Sequence, residues 1–151
     1  MTALIAKGVS LPAMAARSVR MVSMLAEKCK ELPQKAIATK HLFHAGTYAR
    51  TITIARNTML TGALIKRATV VILSGDVIVY LGDESIRLQG YNVLPASAGR
   101  KQAYLALADT TITMLFATNA KTVEEAEQEF TDEYDSLLSH SCENEVVITG
   151  E

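Results

Sequence analysis

Residues 62–84 read GALIKRATVVILSGDVIVYLGDE. Two apolar, β-branched runs lie here, ATVVIL at 68–73 and VIVYL at 77–81. Each is followed by a turn signal, Ser74-Gly75-Asp76 after the first and Gly82-Asp83-Glu84 after the second. Runs of this kind, bounded by glycine and aspartate, predict strands joined by tight turns. The stretch holds no histidine and no cysteine, and its only carboxylates are Asp76, Asp83 and Glu84.

The pattern continues on both sides. Upstream, HLFHAGTYARTITIA at 41–55 alternates as a half-buried strand does. Downstream, SIRLQ follows the second turn and Gly90 closes that hairpin. RKQAYLALA and TTITMLFAT then form the last two strands, joined at Asp109. Strands recurring every eight to twelve residues or so, with turns between them, indicate a sandwich or barrel. The core is expected to include Leu64, Val70, Ile72, Val77, Val79, Ile86, Leu105, Ile112 and Leu115.

Helical spacing flanks the strands. From Leu11 to Leu32 apolar residues recur at Ala15, Val19, Val22, Leu25, Ala26 and Cys29, with Ser10 as cap, Pro12 in the first turn and Pro33 as the stop. Thr122 and Glu125 form a capping box before a second amphipathic stretch through Val123, Ala126, Phe130, Tyr134 and Leu137. The chain thus divides into a helical arm at 1–35, a barrel at 36–120, a helix at 121–138 and an acidic tail at 139–151, in which EVVITG can add a strand.

The 151 residues, 49% hydrophobic and 21% charged, fit one globular domain. No uninterrupted apolar stretch of roughly eighteen residues occurs, so no membrane span is expected. Cys29 and Cys142 are too sparse for a disulfide scaffold and are expected to be free thiols in a reducing compartment. The N-terminus has no acid before Glu27, but Lys7, Arg17 and Arg20 interrupt any signal-like apolar block, so it is expected to belong to the mature protein. Charge is split along the chain. Residues 1–120 hold fourteen Lys/Arg against six Asp/Glu, whereas residues 121–151 hold one lysine against ten acids. That asymmetry indicates an acidic segment that meets a basic surface, on its own subunit or on a neighbour, or a solvated tail.

The stretches LPQ (32–34), HLFHAGTYAR (41–50), NTMLTGALIK (57–66), ILSGDVIVY (72–80) and LADTTITMLFAT (107–118), in that order and followed by an acidic helix, resemble the cupin superfamily. More narrowly they are similar to the small cupin-like proteins encoded by tailed bacteriophages. The resemblance implies an all-β fold: a single cupin-like jelly-roll barrel of about eight to ten strands. An N-terminal helical arm and a C-terminal acidic helix flank it. Cupins usually hold a divalent metal on histidines and a glutamate from adjacent strands. At the matching positions this chain carries Leu64, Ile65, Thr69 and Val71 after Gly62, Gln102 and Ala106 past Gly99, and Phe116 on the last strand. All are poor ligands, so no metal, no cofactor and no catalysis are expected.

Other site candidates are few. His41 and His44 at i, i+3 on a strand point to opposite faces. Cys29 lies on the helical stripe and reads as a structural thiol rather than as the partner of a histidine in a nucleophile pair. His140 could join only if the tail folds back. Arg50, Arg56, Lys66, Arg67, Arg100 and Lys101 are basic without interleaved aromatics, which make up only 5% of the chain, so a docking surface is preferred to nucleic acid. The candidate interaction residues are Arg17, Arg20, Met21, Met24, Lys66, Arg67, Arg100, Lys101, Glu124, Glu125 and Asp132.

The functional expectation is a metal-free structural or assembly protein, a homo-oligomer bound to other phage structural proteins. It would be located in the virion after assembly in the host cytoplasm. The alternatives are a barrel that binds a sugar or nucleotide without metal, and an enzyme with a site relocated to His41 and His44.

Overall fold

The computed structural model describes residues 9–137 and 144–151. Its elements are α1 (Ala16–Cys29), β1 (Thr39–His44), β2 (Thr47–Ile54), β3 (Met59–Thr61), β4 (Thr69–Tyr80), β5 (Ser85–Ala96), β6 (Ala103–Ala106), β7 (Thr110–Ala117), α2 (Val123–Phe130), a 3-10 turn (Tyr134–Ser136) and β8 (Asn144–Ile148). The strands form one curled sheet in the order β3-β6-β4-β7-β2-β1-β8, with β5 also paired to β4. All neighbours are antiparallel except β1 and β8, which run parallel, so the sheet is a mixed half-barrel. The all-β expectation holds, with a helix before the strands and one after β7.

The stretch at 69–96 organises the sheet. β4 and β5 form one long hairpin that turns at Leu81, whose N–H donates to the Glu84 carbonyl at 2.9 Å. Gly75 and Gly90, expected to turn the chain, instead lie opposite each other inside the two strands. On its other edge β4 changes partner at Gly75: residues 70–74 pair with β7 and residues 77–80 with β6. Only glycine fits at this fork. Gly75 has φ +148°, and a Cβ there would sit 2.4 Å from Thr110 Oγ1 and 2.7 Å from Thr110 Cα. The buried Thr110 hydroxyl in turn accepts from the Asp76 N–H at 3.1 Å, fastening the bend.

The HLFHAGTYARTITIA stretch, expected as one strand, is the β1–β2 hairpin. Ala45 and Gly46, at φ 54° and 64°, make a two-residue turn whose hand matches strand twist. An alanine at positive φ hides that turn from a reading of residue types.

Inward-facing side chains form the core: Tyr48 and Ile54 from β2, Val71, Leu73, Val77 and Val79 from β4, Leu88 and Leu94 from β5, and Ile112, Met114 and Phe116 from β7. Of the expected core residues, Val77, Val79 and Ile112 are buried, and Ile86 is partly buried against the core. Val70 is 39% exposed, while Leu64, Ile72, Leu105 and Leu115 are half-buried. The run Val70-Val71-Ile72-Leu73 is apolar at both parities, so alternation alone does not say which face is inside.

The helices are shorter than the spacing predicts. Leu11 is fully buried in strand-like pairing, with its N–H on the Pro95 carbonyl (2.9 Å) and its carbonyl on the Ser97 N–H (2.8 Å). Ser10 therefore caps nothing, and α1 begins at Ala16 behind Ala15. α1 buries Ser18 and Val22, and Met21, Val22 and Leu25 face Ile78, Tyr80 and Leu105 across a groove on the convex side of β4 and β6. α2 has the expected cap: Thr122 Oγ1 accepts from the Glu125 N–H at 3.2 Å. It ends at Phe130, because Thr131 is extended, so the helix expected to 138 is α2 plus the 3-10 turn. Among the described residues no helix is long and apolar enough to cross a membrane.

Candidate functional site

The concave side of the sheet holds a cavity of about 770 Å³, with the exposed segment after α1 (Leu32, Pro33, Gln34, Lys35) along its margin. Ile52, Leu60, Val71, Ile112, Met114 and Phe130 give it apolar walls, while Arg50, Arg100, Lys101, Gln102 and Tyr104 contribute polar groups. Alternation on β2, β4 and β7 aims Ile52, Val71, Ile112 and Met114 inward from paired positions. Arg50 comes from β2 and the other polar groups from the segment that enters and begins β6. There Arg100 bridges Ile65 by backbone (Ile65 N–H to Arg100 carbonyl, 2.8 Å), and the Gly62 N–H donates to the Gln102 carbonyl at 2.8 Å.

The charges inside differ in how they are met. Arg50 Nη1 donates to Glu127 Oε2 at 3.1 Å, and its guanidinium lies 5.6 Å from the centre of the Phe130 ring. Lys101 Nζ donates to both Glu133 oxygens, at 2.8 and 3.1 Å. That bond and the Leu64 N–H hold the Glu133 carboxyl below its ordinary range, although partial burial, the largest influence, acts the other way. Arg100, 3% exposed, has a different environment. Its guanidinium donates to the Ser97 carbonyl and to Thr69 Oγ1, both at 2.8 Å, and lies 3.7 Å from Met114 Sδ. No carboxylate pairs with it among the described residues. Burial lowers its pKa from the usual arginine value, the direction expected for a cation without a counter-charge. Beside it, burial pushes the Tyr104 hydroxyl up to about 12, so Tyr104 is neutral and donates to Gln102 Oε1 at 2.9 Å. That fixes the Gln102 amide and leaves its buried Nε2 without a partner.

The convex side is built differently. Outward residues of β5, β4, β7 and β2 line up in three rows: Pro95–Val70–Leu115–Ala49, Val93–Ile72–Thr113–Thr51 and Tyr91–Ser74–Thr111–Thr53. No charged side chain occurs in them. Tyr91 is 70% exposed and Val93 55%, and the threonines pair across strands, Thr51 with Thr113 at 2.8 Å and Thr53 with Thr111 at 3.3 Å. Charges return only at the borders. Lys40 lies 3.8 Å from Glu145 on the β1–β8 side, and Arg87 makes a two-pronged contact with Asp76 beyond the fork, at 2.7 and 2.9 Å.

No protein-family model matches the chain, and no curated protein matches it. Solved structures similar to it include a cupin superfamily protein from Desulfitobacterium hafniense DCB-2, at 16% identity and TM-score 0.47, covering 75% of this chain and 99% of that one. A cupin-2 domain containing protein from Shewanella frigidimarina NCIMB 400 is similar at 11% identity and TM-score 0.45, over 66% of this chain and 98% of that one. The cupin-2 domain of an XRE family transcriptional regulator from Enterobacter cloacae follows at 13% and 0.46, over 58% and 100%. Likenesses of this size, all below a TM-score of 0.5, carry no argument about this chain.

The residues that the sequence resemblance set against cupin metal ligands form no ligand set among the described residues. Thr69, Val71, Gln102, Ala106 and Phe116 are buried and Ile65 packs against the core. Among the described residues no three His, Cys, Asp or Glu side chains converge. The Thr69 hydroxyl is bonded to the Arg100 guanidinium, and the Arg67 guanidinium stacks 4.2 Å from the centre of Phe116. Cations already stand at these positions, and a second positive ion beside them would be repelled.

His41 and His44 point to opposite faces as their spacing predicts, and neither lines the cavity. His41 is buried, with Nδ1 2.7 Å from the Tyr48 hydroxyl and Nε2 3.1 Å from Asn144 Oδ1, so it ties β1, β2 and β8 together. Asn144 Oδ1 can only accept, so a neutral His41 carries its proton on Nε2 and its Nδ1 accepts from the Tyr48 hydroxyl, which burial pushes up to about 12. The exposed His44 meets Thr149 at 2.7 Å. Cys29 is half-buried on the cavity lining; Cys142 and His140 lie outside the described residues.

Of the candidate interaction residues, Arg17, Arg20, Met21 and Met24 are exposed on α1, and Glu124 and Glu125 on the first turn of α2. Lys66 meets Asp132 at 2.7 Å and Lys101 meets Glu133, so the acidic segment docks on basic loops of its own chain. Arg100 and Lys101 are buried in the half-barrel rather than set on its rim, and Arg67 is half-buried on Phe116. Lys101 thus docks the acidic segment as the sequence reading preferred, but from a buried position, whereas Arg100 is held by the Ser97 carbonyl and Thr69 and meets no acid among the described residues. The convex rows were missed too. Their signal is in the sequence, since TITI at 51–54 and TTIT at 110–113 put threonine on one face, but the register is needed to assemble them.

Proposed function

We propose that the chain is a non-catalytic, metal-free subunit that assembles with copies of itself through the convex face of its sheet, as a component of a bacteriophage particle. The observation that supports this is the uncharged patch across β5, β4, β7 and β2. Four strands about 4.8 Å apart and three outward residues on each give a patch of roughly 20 Å by 20 Å. The largest apolar patch of a monomer is often a site of interaction, and Tyr91, Val93, Pro95, Val70, Ile72 and Leu115 make such a patch contiguous here. Its layout also matches interface anatomy, with charge absent at the centre and ion pairs at the borders. A second copy is the occupant that fits. The patch has no charge with which to select a charged partner, and rows of β-branched side chains and hydroxyls complement themselves across a twofold axis. The docked acidic segment supports a contact made by the sheet rather than by opposite charges on separate subunits.

Location in a particle rests on the resemblance of residues 41–50, 57–66 and 107–118 to phage-encoded cupin-like proteins. The test is twofold. Sedimentation velocity of the purified chain is expected to show a dimer or larger species, and quantitative mass spectrometry of purified particles a fixed copy number. A stable monomer absent from every particle ends the proposal.

A further inference from the structure

The cavity in the half-barrel is independent of the convex face, and its polar groups are arranged for a ligand. Two buried polar groups in it are incompletely met among the described residues: one amide nitrogen has no partner, and one guanidinium has hydrogen bonds but no counter-charge. Gln102, 3% exposed, has its Oε1 engaged by Tyr104 and its Nε2 unpartnered. Arg100, equally buried, meets only neutral acceptors, whereas Arg50 and Lys101 in the same lining each face a carboxylate. A buried guanidinium without a counter-charge is costly, and so is a buried amide N–H₂ without an acceptor. One group that removes both costs is an oxyanion with acceptor lone pairs. Around these donors the walls are apolar, from Val71, Ile112 and Met114 on one side to Leu60 on another.

We infer that the half-barrel binds a small organic carboxylate, its carboxylate on Arg100 and Gln102 and its apolar body against Val71, Ile112, Met114 and Leu60. A single negative charge matches a lining in which the other buried cations are already neutralised. A sugar would leave most of its hydroxyls against aliphatic walls, and a nucleotide would bring more charge than Arg100 offsets.

The test is isothermal titration calorimetry of the full chain at pH 7 with sodium benzoate and sodium hexanoate, their neutral isosteres benzamide and hexanamide, and inorganic phosphate. At least one carboxylate is expected to bind about tenfold or more tightly than its amide, the scale of one charge-assisted hydrogen bond. Gln102→Leu removes the unpartnered amide but also the acceptor of the Tyr104 hydroxyl, so it is made together with Tyr104→Phe; against Tyr104→Phe alone, the double variant is expected to keep the melting temperature while weakening the carboxylate about tenfold. Arg100→Gln is expected to abolish preference for carboxylate over amide. Should that variant fail to fold, Arg100→Lys, which keeps the charge, is expected to retain the preference. The inference is overturned if neither carboxylate binds, if the amides bind as well, if adding Gln102→Leu to Tyr104→Phe changes nothing, or if phosphate binds and the carboxylates do not.

Discussion

Replacing Gly75 by alanine tests the fork that shapes the sheet. Two costs add at this position. A residue with a side chain held at φ +148° loses on the order of 1–2 kcal/mol relative to its preferred conformations. The new methyl would also lie 2.4 Å from Thr110 Oγ1, 2.7 Å from Thr110 Cα and 2.8 Å from the Asp109 carbonyl. Two of these three are backbone atoms, so relief requires β7 to move from β4, an overpacking cost of about 1–3 kcal/mol. The sum, roughly 2–5 kcal/mol, lowers the melting temperature by about 4–20 °C in a domain of this size. Gly90, directly opposite, is the control. Its φ is +74°, but nothing lies within 4 Å of a Cβ there, so Gly90→Ala carries the conformational cost alone, about 1 kcal/mol. Urea unfolding followed by far-ultraviolet circular dichroism measures both. Equal losses in the two variants, or a Gly75→Ala protein within about 0.5 kcal/mol of the parent, would refute the close approach of β4 and β7 at the fork.

Glu127→Gln leaves the half-buried Arg50 without its carboxylate and is expected to cost about 2–3 kcal/mol, with Arg50→Met in the same background restoring more than half, read by urea unfolding. His41 is held below its ordinary value of 6.5, first by burial and further by the Arg50 charge, against the Asn144 bond, which acts to raise it. The unfolded chain therefore takes up this proton at higher pH than the folded one. The stability linked to His41 is present above about pH 6.5 and is lost as pH falls through the folded pKa. Unfolding free energies at pH 7.5 and 5.5 should fall in the parent and stay nearly level in His41→Gln. Thr122→Ala removes the acceptor for the Glu125 N–H at the start of α2 and is expected to cost about 1 kcal/mol, or a melting temperature lower by about 2–4 °C.

Much of the architecture can be read from residue order. The β-branched runs, the turn at Gly82, the break at Asp109 and the cap at Thr122 are local signals, and each stands where its chemistry puts it. What is not legible depends on contacts distant in sequence. The 70–73 run is apolar on both faces, so only its pairing with β7 shows that Val71 and Leu73 are inside. Ser74-Gly75-Asp76 has turn chemistry, yet it lies inside β4, where Gly75 admits Thr110 at the fork. Arg100 and Lys101 follow a loop glycine, a place that normally reaches solvent, yet both are buried, Arg100 on Thr69 and Lys101 on Glu133, partners distant in sequence. The convex patch depends on register in four strands at once, and no single strand displays it.

The account depends most on that patch being a contact between copies. Val93→Lys places a charge in its middle row at a position 55% exposed, so folding has little reason to change while the paired face acquires two buried charges per contact. Lys28→Glu, on the exposed side of α1, is the control for charge alone. Sedimentation velocity on the three proteins is the deciding measurement. The account predicts an oligomer for the parent and for Lys28→Glu, and a monomer of 16.3 kDa for Val93→Lys. A monomeric parent, or a Val93→Lys protein that sediments as the parent does, would contradict it.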